Sequence, residues 1–322
     1  MNPIFCTLFD RNYLLKGLVM ARTLVRHCPD CRLFVLCMDD ETFDLLSRLK
    51  LARVEPLHLR EVENEALLKV KPQRSIAEYY WTFSPSLPLH LVKTHDDIDS
   101  ITYLDSDLMF FSSPAPIFEE IGDASIAIIG HRYTKRLTHL EVYGHFNVEW
   151  VGFRRDEEGL ACLTRWREQC IDWCFSYYDG DRLGDQKYLD AWPGRYRSLH
   201  VIQHPGAGLA PWNFPKYSIS RSGDRVTVDG QPLIFYHYQQ MQILKGMRFD
   251  RMPAIYTQDG PPPSVVYQPY EQALRDALED VRRLEPRFDG GIRPWLPVAA
   301  RRVVQNLLPL KLKSALRRVV PP

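Results

Sequence analysis

The sequence has almost no excess of charge: across 322 residues, 41 Lys and Arg face 40 Asp and Glu, for a formal net charge of +1. A chain that grips nucleic acid usually carries a global basic surplus, so no nucleic-acid partner is expected. The sequence lacks any uncharged apolar stretch near the ~18 residues that a membrane span needs. Its opening Met1-Asn2-Pro3-Ile4-Phe5 has no basic lead, and Asp10 and Arg11 interrupt the apolar run behind it, so it does not read as a secretory signal. Cysteines number only seven (Cys6, Cys28, Cys31, Cys37, Cys162, Cys170, Cys174), an odd count that suits free thiols in a reducing compartment better than a disulfide framework. Cys28-Pro-Asp-Cys31 has metal-ligand spacing, but no second CxxC or HxxxH pair completes a zinc site, and a turn after a helix is the plainer reading. No internal repeat is visible. These absences lead to the expectation of a cytoplasmic protein whose membrane attachment, if any, is peripheral.

What the chain does have is core material, with 45% hydrophobic and 12% aromatic residues, which excludes a disordered or collagen-like chain. Its length suits one large α/β unit or two smaller domains. From the start, strand and helix patterns alternate. Ile4 to Leu8 is a short apolar run, Leu14 to Val25 has helical spacing, Leu33 to Cys37 is β-like, and Asp39-Asp40 opens a helix over Glu41 to Leu49. Such alternation predicts a mostly parallel sheet with helices on its faces. Ser75-Ile-Ala-Glu78 is a capping box opening an aromatic-rich helix, and a further helix follows from Ser84 to Lys93. Ser125 to Gly130 and Val148 to Phe153 read as strands, and Glu158 to Tyr177 as a helix. From Tyr217 to Tyr238 the period changes to alternation, with turn signals at Ser222-Gly223-Asp224 and Asp229-Gly230, which predicts an antiparallel meander ending in Leu233-Ile-Phe-Tyr-His237. The expected division is residues 1–258 as the main domain, 259–289 as a linker and charged helix, and 290–322 as a basic tail.

The chemistry concentrates at Asp105-Ser106-Asp107, directly after the buried-strand pattern ending in Tyr103-Leu104. Carboxylates two apart on extended chain share a side, about 6–7 Å apart, and can hold one divalent cation from two directions. Open α/β sheets place ligands at the carboxyl ends of their strands, where these acids sit. A loop with two solvated acids is the plainer alternative, and the apolar Leu108-Met-Phe-Phe111 that follows argues for the site.

With these motifs in this order, residues 3–250 resemble the nucleotide-sugar-dependent glycosyltransferases of GT-A fold, especially the retaining glycogenin-like and galactosyltransferase-like group. Thr7-Leu-Phe-Asp10-Arg-Asn12-Tyr13 is similar to that family's strand-end segment, which implies that Thr7, Asp10, Asn12 and Tyr13 hold the uracil and ribose. The resemblance implies that Arg74, before the DxD strand, reaches the donor's phosphates or sugar; that Asp105, Ser106 and Asp107 form the metal-binding DxD; and that His237 is the third metal ligand. Manganese accepts such a mixed oxygen and nitrogen set, whereas magnesium prefers oxygen, so Mn2+ is the expected cofactor with Mg2+ the alternative. Asn147 matches the family's sugar-holding Asn, yet Glu149 stands where relatives carry a small residue and is expected to reshape the sugar pocket. Asp185 and Gln186 match the family's D-Q pair near the anomeric carbon, which implies catalytic roles: Gln186 stabilising positive charge there, with Asp185 as a carboxylate nucleophile the alternative. The glycine and lysine that follow the His in relatives are replaced by Gln239 and Gln240, with Lys245 a loose substitute. His204-Pro-Gly206-Ala-Gly208-Leu-Ala-Pro-Trp212-Asn213 is read as an acceptor loop, Trp212 being able to pack on a sugar face.

The function implied is transfer from a UDP-sugar donor to a hydroxyl on a glycan, lipopolysaccharide or lipid-linked saccharide, with retention of configuration. A catalytically silent sugar-nucleotide binder of the same fold is the rival reading; a DxD phosphatase would want Thr at the position of Met109. The near-neutral total also conceals an asymmetry. Residues 290–322 carry seven cations (Arg293, Arg301, Arg302, Lys311, Lys313, Arg317, Arg318) and no acid, so subtracting them from +1 leaves about −6 for the rest. Interspersed with Trp295, Leu296, Val303, Val304, Leu307 and Leu308, they suit an amphipathic segment on an anionic membrane. Pro297 and Pro309 would break it into short helices.

Overall fold

Strand β1 (Ile4–Phe9) is buried at every position but its first, and its alternating side chains enter two different cores: Phe5 and Phe9 one, Cys6 and Leu8 the other. A strand covered on both faces belongs to the middle of a sheet between helices. The computed structural model, which describes residues 2–294, places it there. Strands β2 (Arg32–Cys37), β3 (Val54–His58), β4 (Ser100–Leu104), β5 (Leu108–Phe110), β6 (Ile126–Gly130), β7 (Phe146–Arg154) and β8 (Leu199–Ile202) follow along the chain. All but β5 form a seven-stranded sheet in the order β3-β2-β1-β4-β7-β6-β8. β1 runs parallel to β2 and β4, β3 to β2 and β8 to β6, whereas β7 is antiparallel to both its neighbours. The expected mixed, mostly parallel α/β sheet is therefore present.

Helices Leu14–His27, Asp40–Leu49 and Ser264–Leu284 bury apolar stripes in one core, and Phe83–Thr94 and Glu157–Asp172 in the other. The charged helix within the expected 259–289 segment is Ser264–Leu284. It packs Val266, Tyr267, Tyr270, Leu274 and Val281 into the same core as Leu14–His27, with Arg22 paired to Asp280 at 2.8 Å. The segment expected as a linker and helix thus adds a layer to the main body.

The meander is real but shorter than predicted. β9 (Ile219–Ser222), β10 (Arg225–Val228) and β11 (Gln231–Pro232) pair antiparallel around the two predicted turns. β12 (Phe235–His237) then leaves them and pairs with β5, because its fully buried side chains need an apolar partner. β13 (Gln242–Leu244) pairs with β14 (Arg248–Asp250) and, in parallel, with β15 (Ile292–Arg293). Among the described residues no helix is long and apolar enough to cross a membrane. The amphipathic reading of the tail falls beyond residue 294, outside the described residues.

Candidate active site

The DxD segment is the turn between two strands. β4 ends at Leu104, the Asp105 N–H donates to the Glu149 carbonyl on β7 (3.3 Å), and the chain turns at Ser106-Asp107 into β5. Antiparallel pairing of β5 with β12 sets His237 opposite Leu108, and the Tyr238 N–H donates to the Asp107 carbonyl (2.9 Å). Backbone pairing therefore delivers the imidazole to the acids. His237 Nε2 lies 2.9 Å from Asp107 Oδ1 and 3.8 Å from Asp105 Oδ2. One ligand atom from each of Asp105, Asp107 and His237 lies within 4.8 Å of the others, a span that one divalent cation bridges.

The electrostatics fit such an ion. Burial pushes the Asp105 carboxyl up to about 7, with Asp107, Asp185 and Glu149 adding to the rise against the pull of His237. Burial would raise Asp107 too, but the His237 and Lys16 charges hold it at about 2. Burial lowers His237, and Asp107 and Glu149 more than reverse this, leaving it well above the ordinary histidine value. Four carboxylates (Asp105, Asp107, Glu149, Asp185) thus share the region with two cationic partners, His237 and Lys16. The surplus negative charge is what a divalent cation would neutralise.

Lys16 was not foreseen. Its buried Nζ lies 3.7 Å from Asp107 Oδ2 and 4.5 Å from the centre of the Tyr13 ring. The available signal was its position three residues after Tyr13 in the first helical turn, which puts both on one face. Asp10 accepts the N–H groups of Asn12 (2.9 Å) and Tyr13 (3.2 Å), and the Asn12 amide returns to Asp10 at 3.1 Å. The Asp10–Tyr13 segment is therefore a preformed turn beside the DxD, with Tyr13 41% exposed. Gly291, at φ +72°, lies against it: an added Cβ would sit 2.1 Å from the Asn12 carbonyl oxygen. Thr7, by contrast, is buried within β1 and offers no accessible hydroxyl.

Asp185 is raised by burial to about 6, a rise that Ser84, a second residue not singled out from the sequence, opposes. Gln186 Nε2 donates to the Tyr143 carbonyl at 3.3 Å. Arg74 is used differently from the expectation. Its guanidinium donates to Thr82 Oγ1 and to the carbonyls of Cys170 (2.6 Å) and Ile171 (2.7 Å), tying two helices together. Asn147 is buried, donating to His131 Nε2 (3.0 Å) and accepting the Glu149 N–H (2.7 Å). Burial lowers His131 to about 3, so its ring is neutral and Nε2 can accept.

Glu149 and the His204–Asn213 loop also depart from expectation. Glu149 does not reshape a sugar pocket: it is 0% exposed, and its Oε2 lies 2.6 Å from His237 Nδ1, on the far side of the imidazole from the two acids. In the loop from His204 to Asn213, Trp212 is 1% exposed, edge-on to His237 at 5.3 Å, so its ring backs the Asp105–Asp107–His237 cluster and presents no face to an acceptor. Asn213 is equally buried, donating to the carbonyls of His131 and Gly208. Gly206 packs against the Pro232 carbonyl, and its N–H donates to His204 Nδ1 at 3.0 Å.

No family model matches the chain. The uncharacterized protein YfnD of Bacillus subtilis is 32% identical over 293 residues, which is 90% of this chain and 94% of YfnD. The uncharacterized protein YfnF of the same organism is 28% identical over 298 residues, 90% of this chain and 97% of its own. Among solved structures, an active-site mutant of LgtC superposes with a TM-score of 0.50 at 16% identity, over 80% of this chain and 93% of that one. LgtC, a galactosyltransferase, is also seen in complex with donor and acceptor sugar analogs. At that identity the likeness is one of fold, and the fold is GT-A.

Proposed function

The chain belongs to the protein family of YfnD, and for it we propose metal-dependent transfer of a glycosyl group from a UDP-sugar to a hydroxyl of a glycan, lipopolysaccharide or lipid-linked saccharide, with retention of configuration. The observation that carries this reading is the convergence of Asp105, Asp107 and His237 just past the carboxyl end of β4, with Lys16, one helical turn after Tyr13, against Asp107.

In this scheme the Asp10–Tyr13 turn holds the base and ribose, with the exposed Tyr13 ring as a stacking face. Lys16 Nζ, between that ring and Asp107, is assigned to the diphosphate that joins nucleoside to sugar. Asp105, Asp107 and His237 would hold Mn2+, which neutralises diphosphate charge and makes the nucleotide a better leaving group. Transfer breaks the bond from the anomeric carbon to the diphosphate oxygen and forms a bond from that carbon to the acceptor oxygen. The acceptor's proton leaves with the diphosphate. Gln186, whose Nε2 is engaged by Tyr143, keeps its amide oxygen for the positive anomeric centre, and Asp185 adds negative charge beside it. The basic segment of residues 290–322 is assigned to an anionic membrane surface at which a lipid-linked acceptor resides.

Calorimetric titration of UDP with and without Mn2+ tests the site. Metal-enhanced UDP affinity in the wild type, lost in Asp107→Ala and His237→Ala, is the expected outcome. UDP affinity indifferent to metal in the wild type would overturn it.

A further inference from the structure

We propose that Glu149 is the positioning residue of the metal centre, fixing Asp105 through its backbone and His237 through its side chain so that the imidazole presents Nε2 to the cation. This rests on the reading of Asp105, Asp107 and His237 as metal ligands.

The placement is costly unless it has a use. Glu149 interrupts the apolar run Val148-Glu149-Trp150-Val151 of β7, whose neighbours in the sheet are β4 and β6, and it is fully buried. An acid taken out of water there is strongly unfavourable unless it is paired. Its partner is His237 Nδ1, at 2.6 Å, in the range of a charge-assisted hydrogen bond. With Nδ1 engaged by the Glu149 carboxyl oxygen, Nε2 is the ring atom that faces Asp107 and Asp105. A carboxylate behind a ligating imidazole both orients the ring and makes it a stronger donor.

Three further contacts set Glu149 itself. Its carbonyl accepts the Asp105 N–H at 3.3 Å, so one residue holds the first acid of the DxD and the imidazole together. Its own N–H donates to Asn147 Oδ1 at 2.7 Å, and Asn147 is anchored in turn on His131. The second carboxylate oxygen, Oε1, is buried with no hydrogen-bond partner among the described residues, and it lies against Gly208. A Cβ at Gly208 would stand 2.7 Å from that oxygen and 2.5 Å from Ile129 Cδ1, and φ there is +68°, so only glycine leaves the carboxylate its room. The same loop accepts the His237 N–H at the Leu209 carbonyl (2.8 Å) and sets the Trp212 edge against the ring. The loop from His204 to Asn213 is therefore the backing of the metal centre, built around the Glu149–His237 pair.

A purely structural counter-ion would affect stability without discriminating between metals. A positioning residue must do more, because Mn2+ draws on the imidazole nitrogen whereas Mg2+ prefers oxygen ligands. The test is titration of the full-length protein with Mn2+ and, separately, Mg2+, by calorimetry and by the electron paramagnetic resonance signal of free Mn2+. Wild type, Glu149→Gln, Glu149→Ala and His237→Ala are compared. Glu149→Ala is expected to weaken Mn2+ binding roughly 10–100-fold and Mg2+ binding by a smaller factor, with Glu149→Gln, which keeps an acceptor but no charge, between it and wild type. Glu149 variants that bind Mn2+ as wild type does while His237→Ala does not would overturn the proposal and leave the ligand assignment standing. Equal loss for the two metals would also overturn it. If wild type binds neither ion, the metal-site reading falls and the proposal with it. Should Glu149→Ala fail to fold, Glu149→Gln decides by the same criterion.

Discussion

Asp105, Asp185 and His237 all hold protons more tightly in the folded chain than their ordinary values: burial takes Asp105 to about 7 and Asp185 to about 6, and the flanking carboxylates outweigh burial at His237. The unfolded chain releases the two carboxyl protons near pH 4, so between about pH 4 and 7 the folded state binds more protons than the unfolded state, and stability falls as pH rises. His237 adds a term of the same sign, present below its unfolded value and lost as pH climbs through its raised one. Asp107, held at about 2, works the other way, but only below about pH 4. Metal-free protein is therefore predicted to lose on the order of a few kcal/mol between pH 5 and 8, and saturating Mn2+ is predicted to restore it. Thermal melts across that range check both parts; a melting temperature that rises with pH in the absence of metal contradicts the assignment. Lys16 gives a second prediction. Lys16→Met removes a cation 3.7 Å from Asp107, so Mn2+ alone is predicted to bind at least as well as to wild type. UDP in the presence of Mn2+ is predicted to bind about 10-fold more weakly, the scale of one charge-assisted contact. Calorimetry separates the two effects.

Among the elements, the pairing of β5 with β12 and the loop behind it carry the geometry of the centre. Trp212 fills the space beside His237, so Trp212→Ala is predicted to cost about 3–5 kcal/mol of stability, read by denaturant melts, and to weaken Mn2+ binding in the part that still folds. Loss of stability with unchanged metal affinity would show that the loop only fills space. This arrangement was only partly legible in the sequence. The apolar runs of β1, β2 and β4, the acids at the end of β4 and the meander turns are local patterns, and they were readable. The capping box is present as expected, with Glu78 Oε2 accepting the Ser75 N–H at 2.8 Å. The β5–β12 pair is not local: each strand is three residues long, too short for a period to show, and the two meet from distant parts of the chain. Arg74 shows the same limit, since its partners Cys170 and Ile171 belong to a helix nearly a hundred residues on. Glu149 was visible as a charge in an apolar strand, but its meaning depended on the histidine that the fold brings beside it.

For the whole molecule, the near-zero net charge of +1 conceals two opposed parts. Buried carboxylates gather at the carboxyl end of the sheet, and the cations of residues 290–322 lie at the end of the chain. The first is proposed to meet a metal and nucleotide, the second an anionic surface. Neutralising Arg301, Arg302, Lys311, Lys313, Arg317 and Arg318 to Gln in the full chain is predicted to abolish co-sedimentation with anionic vesicles while leaving UDP binding intact; undiminished vesicle binding would remove the membrane assignment. The central claim is glycosyl transfer itself. Its most direct measurement is UDP release from a panel of UDP-sugars with and without Mn2+, by wild type and Asp107→Ala. Mn2+-dependent release from at least one donor by wild type and a loss of at least about 100-fold in Asp107→Ala are expected; turnover in Asp107→Ala close to wild type, or none by wild type from any donor, would rule out metal-dependent transfer at this site.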